Sequence, residues 1–422
     1  MKLVLAAYGT RGDLEPSVAV GRELQRRGHD VRIAVPPDLV GFAESAGLEA
    51  VPYGLETVAW LDVYRDFWTC FFRGFWRRRR LRALLREMWA ASDRAWMEMS
   101  SALDSLIGGA DAVLAGQSYQ EVAANVAEHH DVPFATLHNT PIRVNGRLLW
   151  RLPPPLARLA MWAYDWIGWR LNRKVEDAQR RELGLPRATR PVSRRIAARR
   201  GLEIQAYEPV CFPGLAAEWE QWADQRPFVG TLTMAQPTMA DDAVTDWIAA
   251  GTPPICFGFG SMPVESPSDT VRMIAAACAE LGERALVCSG WSDYRDVPQY
   301  DHVKVVGTVN YAAVFPLCRA VVHHGGAGTL AASLRAGVPT LVLWIDGAQP
   351  IWASRVKLLG VGTVRSFAST TRDTLVSDLR RILQPRYAAR AREIARQVTR
   401  PADSITRAAD AFERFAAARQ AV

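Results

Sequence analysis

At 422 residues the chain exceeds the size of a single hydrophobic core, and with 49% apolar residues it can fill two. Its formal charge of +7 suits an anionic nucleotide or an anionic membrane surface, while the lack of any nucleic-acid reader motif argues against nucleic acid as a partner. The six cysteines, Cys70, Cys211, Cys256, Cys278, Cys288 and Cys318, keep neither metal-ligand nor CxxC spacing, so no disulfide and no zinc site is expected.

Lys2 to Tyr8 has the pattern of a short strand, Pro16 to Arg27 that of a helix ending in a turn at Gly28, and Asp30 to Val35 that of a second strand, which together make a βαβ unit. Met1-Lys2 leads straight into this pattern, so no secretory leader is expected. No run of about 18 apolar residues is available to span a bilayer. The expectation is a cytoplasmic protein, soluble or peripheral at the inner face of the plasma membrane. Asp111 to Leu114 and Pro133 to Leu137 continue the alternation, so the first half reads as a parallel α/β sheet.

Two aromatic stretches interrupt it. Between Tyr64 and Arg80, Phe67, Trp68, Phe71, Phe72, Phe75 and Trp76 are interleaved with Arg65, Arg73 and Arg77 to Arg80. After Leu152-Pro153-Pro154-Pro155, Trp162, Trp166 and Trp169 recur at i, i+4 and i+7. Such stripes either fill a core or meet an interface such as a lipid headgroup boundary, and the pattern alone leaves both open.

Between about Tyr207 and Asp242, Pro209, Pro213, Pro227 and Pro237 break any long helix, and the linker is placed there. Pro254 to Phe259, Ala285 to Cys288, Val303 to Val306, Ala320 to His323 and Thr340 to Leu343 then alternate with helical stretches, giving a second doubly wound sheet. From Thr371 onward, breaks at Pro385 and Pro401 divide an Arg- and Ala-rich tail into three helices, the last amphipathic from about Ser404 to Arg419.

The most informative run is Val321-Val322-His323-His324-Gly325-Gly326-Ala327-Gly328-Thr329, which reads as a buried strand, a glycine-rich turn and a first helical turn. Backbone N–H groups and the positive helix end would converge there on an anion, and Thr329 and a histidine can add donors. Adjacent side chains on a strand face opposite ways, so one histidine addresses the phosphate and His323 reads as structural. Asp13 lies in the Gly9-Thr10-Arg11-Gly12 turn after the first strand, where α/β proteins place their sites. It is the candidate base, although a helix cap ahead of Pro16 or a pair with Arg11 is the plainer alternative.

Four segments in this order, Gly9 to Asp13, Phe257-Gly258-Phe259-Gly260-Ser261-Met262, His323 to Thr329 and Gln349-Pro350, resemble nucleotide-sugar-dependent glycosyltransferases of the GT-B fold. The likeness is strongest to bacterial enzymes acting on glycopeptides, macrolides, sterols and mycobacterial glycopeptidolipids. It implies an α/β architecture of two doubly wound Rossmann-like domains facing a central cleft. The boundaries drawn are 1–215 for the acceptor domain, 216–242 for the linker, 243–402 for the nucleotide-sugar domain and 403–422 for a helix crossing back to the first domain.

The resemblance implies an inverting, metal-independent transfer of a hexose or 6-deoxyhexose from a UDP- or dTDP-sugar to a hydroxyl of a hydrophobic or lipid-linked acceptor, with no resident cofactor. Asp13 corresponds to the family's aspartate base and Thr10 to a residue orienting the acceptor. For the donor, His324, Gly326, Gly328, Thr329 and Ser261 fall at the diphosphate, Val309-Asn310 and Trp291 at the nucleoside, and Asp346 and Gln349 at the sugar. Arg11, Phe71, Trp76 and His138 are the acceptor candidates. Asp241-Asp242, beside Pro237 in the linker, does not follow a strand as the DxD of a metal-dependent transferase would.

One position departs from the family. Relatives carry an acidic residue directly before the glutamine, and this chain has Ala348 there, with Asp346 two residues upstream. Loss of that carboxylate removes a charge-assisted hydrogen bond of roughly 1.5–3 kcal/mol. It motivates the rival reading of a non-catalytic nucleotide-sugar-binding protein; an epimerase or hydrolase on the same architecture is the other. An oxidoreductase is disfavoured because Gly9-Thr10-Arg11-Gly12 lacks G-x-G-x-x-G spacing.

Overall fold

The structure is a computed structural model that describes residues 1–57, 78–234, 237–260, 266–290, 294, 296–345 and 348–420. The chain forms two compact units: residues 1–207, 214–232 and 402–422 make the first, and 208–213 with 233–401 the second.

The first unit is built on β1 (Lys2–Ala6), β2 (Asp30–Val35), β3 (Glu49–Pro52), β4 (Ala112–Gly116), β5 (Phe134–His138) and β6 (Leu202–Gln205). They lie in the order β3-β2-β1-β4-β5-β6, every pair parallel. Parallel strands are covered on both faces, so the central ones are apolar throughout: Leu3, Val4 and Leu5 of β1 and Ala112 to Leu114 of β4 have no exposed surface. Helices α1 (Arg11–Arg26), α2 (Arg78–Ile107) and α3 (Gln120–His129) cover the sheet among others, and α4 (Pro154–Glu182) packs on α2 and α3. One core joins Val4, Ala6 and Val113 to Trp96, Met99 and Leu103 of α2 and Val122 and Val126 of α3.

The second unit repeats the plan with β7 (Ile255–Gly258), β8 (Ala285–Cys288), β9 (Val303–Val306), β10 (Ala320–His323), β11 (Thr340–Trp344) and β12 (Gly362–Ser366), in the order β12-β11-β10-β7-β8-β9. Read from β9, this is the same succession as in the first unit, the doubly wound order whose switch point lies beside the first strand. Helices α5 (Pro267–Leu281), α6 (Ala327–Ala336), α7 (Gln349–Leu359) and α8 (Arg372–Ile382) pack on it. Phe257, Val287, Val322 and Leu341 meet Ile274 of α5 and Leu375 and Leu379 of α8 in its core.

The chain ends in α9 (Pro401–Gln420), grouped with the first unit, where Asp410 and Glu413 both receive the Arg27 guanidinium and His29 Nε2 lies 2.6 Å from Glu413. In the second unit, Glu208 accepts from the Thr399 N–H at 3.0 Å and from Arg335, whose guanidinium also reaches the Thr399 carbonyl and, at 2.7 Å, Thr233. One buried carboxylate thus fastens residues beside three of the four points where the chain passes from one unit to the other.

One expected element boundary changes. The first helix starts at Arg11, more than a turn before Pro16, because Thr10 and Asp13 form a capping box and Pro16 is carried inside the helix. The five described cysteines are buried free thiols; Cys70 lies outside the described residues.

Candidate active site

In a doubly wound sheet, ligands bind beyond the carboxyl ends of the strands at the switch point. In the first unit that point lies between β1 and β4, and the segment leaving β1 there is Ala7 to Asp13. Gly9 adopts φ +134°, and a Cβ on it would stand 2.5 Å from Asp13 Oδ2, so only glycine lets the carboxylate fold back over the turn. Asp13 Oδ2 accepts from the Thr10 N–H at 2.9 Å and from its hydroxyl at 3.1 Å, while Asn139 Nδ2 approaches Oδ1 at 3.4 Å. The turn is braced from outside by Thr57, whose hydroxyl donates to the Gly9 carbonyl at 2.9 Å and whose N–H donates to Asp38.

Asp13 therefore completes the capping box of α1 from its third position, with Thr10 as the cap, and it is also half-buried at the switch point. Burial pushes its carboxyl above the usual aspartate range, against the pull of the hydrogen bonds from Thr10 and Asn139. A carboxylate so tuned is a stronger base than a solvated one. Beside it, Tyr8 is buried edge-on to Tyr119 with ring centres 5.2 Å apart, and its hydroxyl has no hydrogen-bond partner among the described residues.

The acceptor candidates separate. Arg11 lies over the Phe42 ring, 5.0 Å from its centre. His138 ends β5 fully buried, its Nδ1 3.4 Å from Gln205 Nε2, and burial drives it well below the usual imidazole range. It is a neutral core residue that presents no surface, and its neighbour Asn139 is the one that reaches Asp13. Phe71 and Trp76 lie outside the described residues.

In the second unit the switch point falls between β7 and β10, bringing Gly258 to Gly260 beside His324 to Thr329. His323 is fully buried and its Nδ1 accepts the Gly325 N–H at 3.0 Å, which fixes the turn. Gly325, at φ +98°, is wedged so that a Cβ would meet Val342 at 2.9 Å and the Gln349 side chain at 3.3 Å. Gly326 caps α6 without any side chain over the helix end. The N–H groups of Ala327, Gly328 and Thr329 precede the first intrahelical bond, from Leu330 to the Gly326 carbonyl, and so are available to an anion.

The His324 ring fills the gap between the two glycine turns. A Cβ at Gly260 would lie 2.7 Å from its Cε1, and one at Gly326 2.6 Å from its Nε2. Burial pushes its pKa down to about 4, with the Gly258 backbone acting the other way. His323 is pushed down to about 3, by burial first and then by His324. Both imidazoles are neutral near pH 7. His324 Nδ1 is buried with no hydrogen-bond partner among the described residues.

Gln349 begins α7 next to Gly325, and its Oε1 accepts the Ile345 N–H at 2.7 Å, holding the turn that leaves β11. Val309 is buried in the core, and Asn310 caps a short helix by accepting from Ala312, its own N–H donating to Asp241 at 2.9 Å. Ser261, Trp291 and Asp346 fall outside the described residues. Their flanking glycines are described: a Cβ on Gly290 would come within 2.0 Å of the Gly260 carbonyl, so the turns after β7 and β8 touch. Sequence reasoning missed Asn139, Thr57 and Tyr311, whose hydroxyl would be 2.9 Å from a Cβ at Gly258. Only topology brings them in.

Among the described residues, Asp104, His129 and His130 could hold a metal, their ligand atoms lying within 4.8 Å of one another. They sit at the last turns of α2 and α3, and α3 ends away from the carboxyl edge of the strands, so they are remote from Asp13.

Two Rossmann-like units, each with a glycine turn at its switch point, are the components of a GT-B glycosyltransferase. The first part of the chain, residues 3–138, matches the glycosyltransferase family 28 N-terminal domain, and residues 284–405 match the C-terminal domain described as erythromycin biosynthesis protein CIII-like. An uncharacterized glycosyltransferase of Mycobacterium tuberculosis is 58% identical over 415 residues, 98% of each chain. The chain belongs to this glycosyltransferase family. A sterol 3-beta-glucosyltransferase of Arabidopsis thaliana is 30% identical over 384 residues, covering 86% of this chain and 57% of the plant protein. Among solved structures, the glycotransferase of kitacinnamycin and the calicheamicin glycosyltransferase CalG4 share the fold, with TM-scores of 0.71 and 0.70 at 20% identity and 98% coverage of both chains.

Proposed function

We propose that this glycosyltransferase moves a hexose or 6-deoxyhexose from a UDP- or dTDP-sugar to a hydroxyl of a hydrophobic acceptor such as a glycopeptidolipid, a sterol or another lipid, with inversion and without a metal. Asp13 takes the proton of the acceptor hydroxyl, and Thr10 and Asn139 hold the carboxylate in place. The hydroxyl oxygen bonds to the anomeric carbon as the bond from that carbon to the diphosphate oxygen breaks. Negative charge growing on the departing diphosphate is met by His324, the N–H groups of Gly328 and Thr329, the Thr329 hydroxyl and Ser261. Gly326 leaves the helix end open. Val309 and Asn310 offer backbone to the base, with Trp291 beside it, and Gln349 and Asp346 address the sugar. Arg11, Phe71 and Trp76 contribute to the acceptor side.

The observation that carries this reading is the His324 ring between the two glycine turns, its Nε2 beside Gly326 at the start of α6, where no side chain covers the helix end. The sterol glucosyltransferase relatives support an apolar acceptor. Ala348 in place of the family's acid makes the sugar preference this chain's own.

The test is release of nucleoside diphosphate from UDP- and dTDP-hexoses and deoxyhexoses, with a membrane-lipid extract as acceptor, for the chain and its Asp13→Ala variant. Acceptor-dependent release that vanishes in the variant supports transfer and names the donor. Donor binding without turnover would leave a non-catalytic binding protein.

A further inference from the structure

Helix α4 carries its apolar stripe on the outside. Leu156, Leu159, Ala160, Ala163, Trp166, Ile167 and Leu171 follow one another at the three- and four-residue spacing that normally marks a core face. Yet Leu159 is 59% exposed, Ile167 50% and Leu171 60%, whereas the first half of the helix buries only Ala157 and Met161. Leu149, Trp150 and Leu152 extend the apolar surface onto the preceding turn. Ten of the fifteen exposed large apolar residues among the described residues lie on this one stretch.

The charge on the stretch is one-sided. From residue 147 to 174 it contains Arg147, Arg151, Arg158, Arg170, Arg173 and Lys174 and a single acid, Asp165, which accepts from the Ser193 hydroxyl at 2.8 Å. Arg147 and Arg158 are paired with Glu218, and Arg173 lies 3.8 Å from Asp177. Among the described residues no carboxylate pairs with Arg151, Arg170 or Lys174. Arg151 lies over the Trp150 ring and Arg170 over the Trp166 ring, each guanidinium held at the rim of the apolar face. Trp162 and Trp166 stack on each other with ring centres 6.5 Å apart.

We infer that the outer face of α4 and the turn before it form a docking surface for an anionic lipid bilayer. Aliphatic side chains and indoles enter the boundary between headgroups and acyl chains, and Arg151, Arg170 and Lys174 remain at the phosphates. No described helix is long and apolar enough to cross a membrane, so α4 lies along the surface. The charge decides for lipid over a second copy of the chain, because two such faces would oppose unpaired arginines. The inference extends the lipid-acceptor reading by giving the enzyme a place to meet its acceptor.

The test uses the full chain and vesicles of pure phosphatidylcholine or of equimolar phosphatidylcholine and phosphatidylglycerol, with no donor present. Sedimentation with the anionic vesicles, weakening as salt rises, is expected. Leu159→Glu/Ile167→Glu should weaken it by about tenfold or more, the factor that one lost buried aliphatic side chain corresponds to. Arg170→Glu/Lys174→Glu should abolish the preference for anionic vesicles. These positions are exposed, and an unchanged thermal transition checks that each variant is folded. Failure to bind, equal binding by the Leu159→Glu/Ile167→Glu variant, or a concentration-dependent dimer that the same variant dissociates would overturn the inference. None of these results bears on diphosphate release in detergent, which tests the transferase reading separately.

Discussion

Gly260 and His324 fit each other so closely that a Cβ on the glycine would stand 2.7 Å from the ring carbon Cε1. The backbone there is also left-handed, at φ +63°. The glycine turn after one strand is thus shaped to admit a histidine from the next strand in the sheet.

Gly260→Ala should displace the His324 ring and weaken nucleoside diphosphate binding by roughly tenfold, the loss of about one good hydrogen bond to a charged group. Gly282→Ala is the control, since it shares the left-handed backbone, φ +66°, but has open space around its Cβ. It should cost only about 1–2 kcal/mol of stability. Calorimetric titration of both variants decides; equal binding by the two would show that the His324 position is unimportant for the donor.

Asp13 combines a place in the capping box with the role of proposed base, and asparagine separates them. Asp13→Asn keeps a cap acceptor, so its melting transition should stay close to that of the parent, whereas Asp13→Ala should lose about 1 kcal/mol. Both should lower kcat by about 10²- to 10⁴-fold if the carboxylate removes the proton. Because the base acts ionised and burial raises its pKa, kcat/KM should rise with pH through a value above the ordinary aspartate one. A pH–rate profile flat across the acid range would count against Asp13 as base.

The two histidines set an acid limit on the second unit. Their folded pKa values, about 3 and about 4, lie below the unfolded value of about 6.5, so the unfolded chain binds more protons between these limits. Stability is therefore full above pH 6.5, falls as pH drops below it, and stops falling at the folded values. The slope should approach about 1.4 kcal/mol per pH unit for each histidine. Urea midpoints at pH 7 and pH 5, for the parent and for His323→Asn, measure it; the same drop in both would exclude His323 as a source.

Glu203 on β6 is fully buried between Arg143 and Arg226, the latter at 2.7 Å and lying over the rings of Trp219 and Trp222. Glu203→Gln leaves two buried guanidinium groups without a counter-charge and should destabilise the first unit by about 3–5 kcal/mol. A loss under about 1 kcal/mol in urea unfolding would mean that water reaches the arginines.

The central strands were legible in the sequence. Parallel strands covered on both faces must be apolar throughout, and β1, β2, β4, β5, β7, β8, β10 and β11 appear as apolar runs, as does the edge strand β9. The strands that went unread, β3, β6 and β12, are the other three edges of the two sheets. An edge strand needs less apolar surface, and β6 even buries Glu203 and Gln205, so polarity hid it.

The sequence by itself also determined the glycine turns, because a left-handed or crowded backbone position admits little else, and through their order it determined the family. Only the tertiary structure decided which side chains those turns serve. It set Asn139 against Asp13 and Gly260 against His324, contacts between residues distant in the chain that exist because parallel strands align their carboxyl ends. It also turned the stripe of α4 outward, since periodicity records that one face of a helix is apolar but not whether that face meets the core or the solvent.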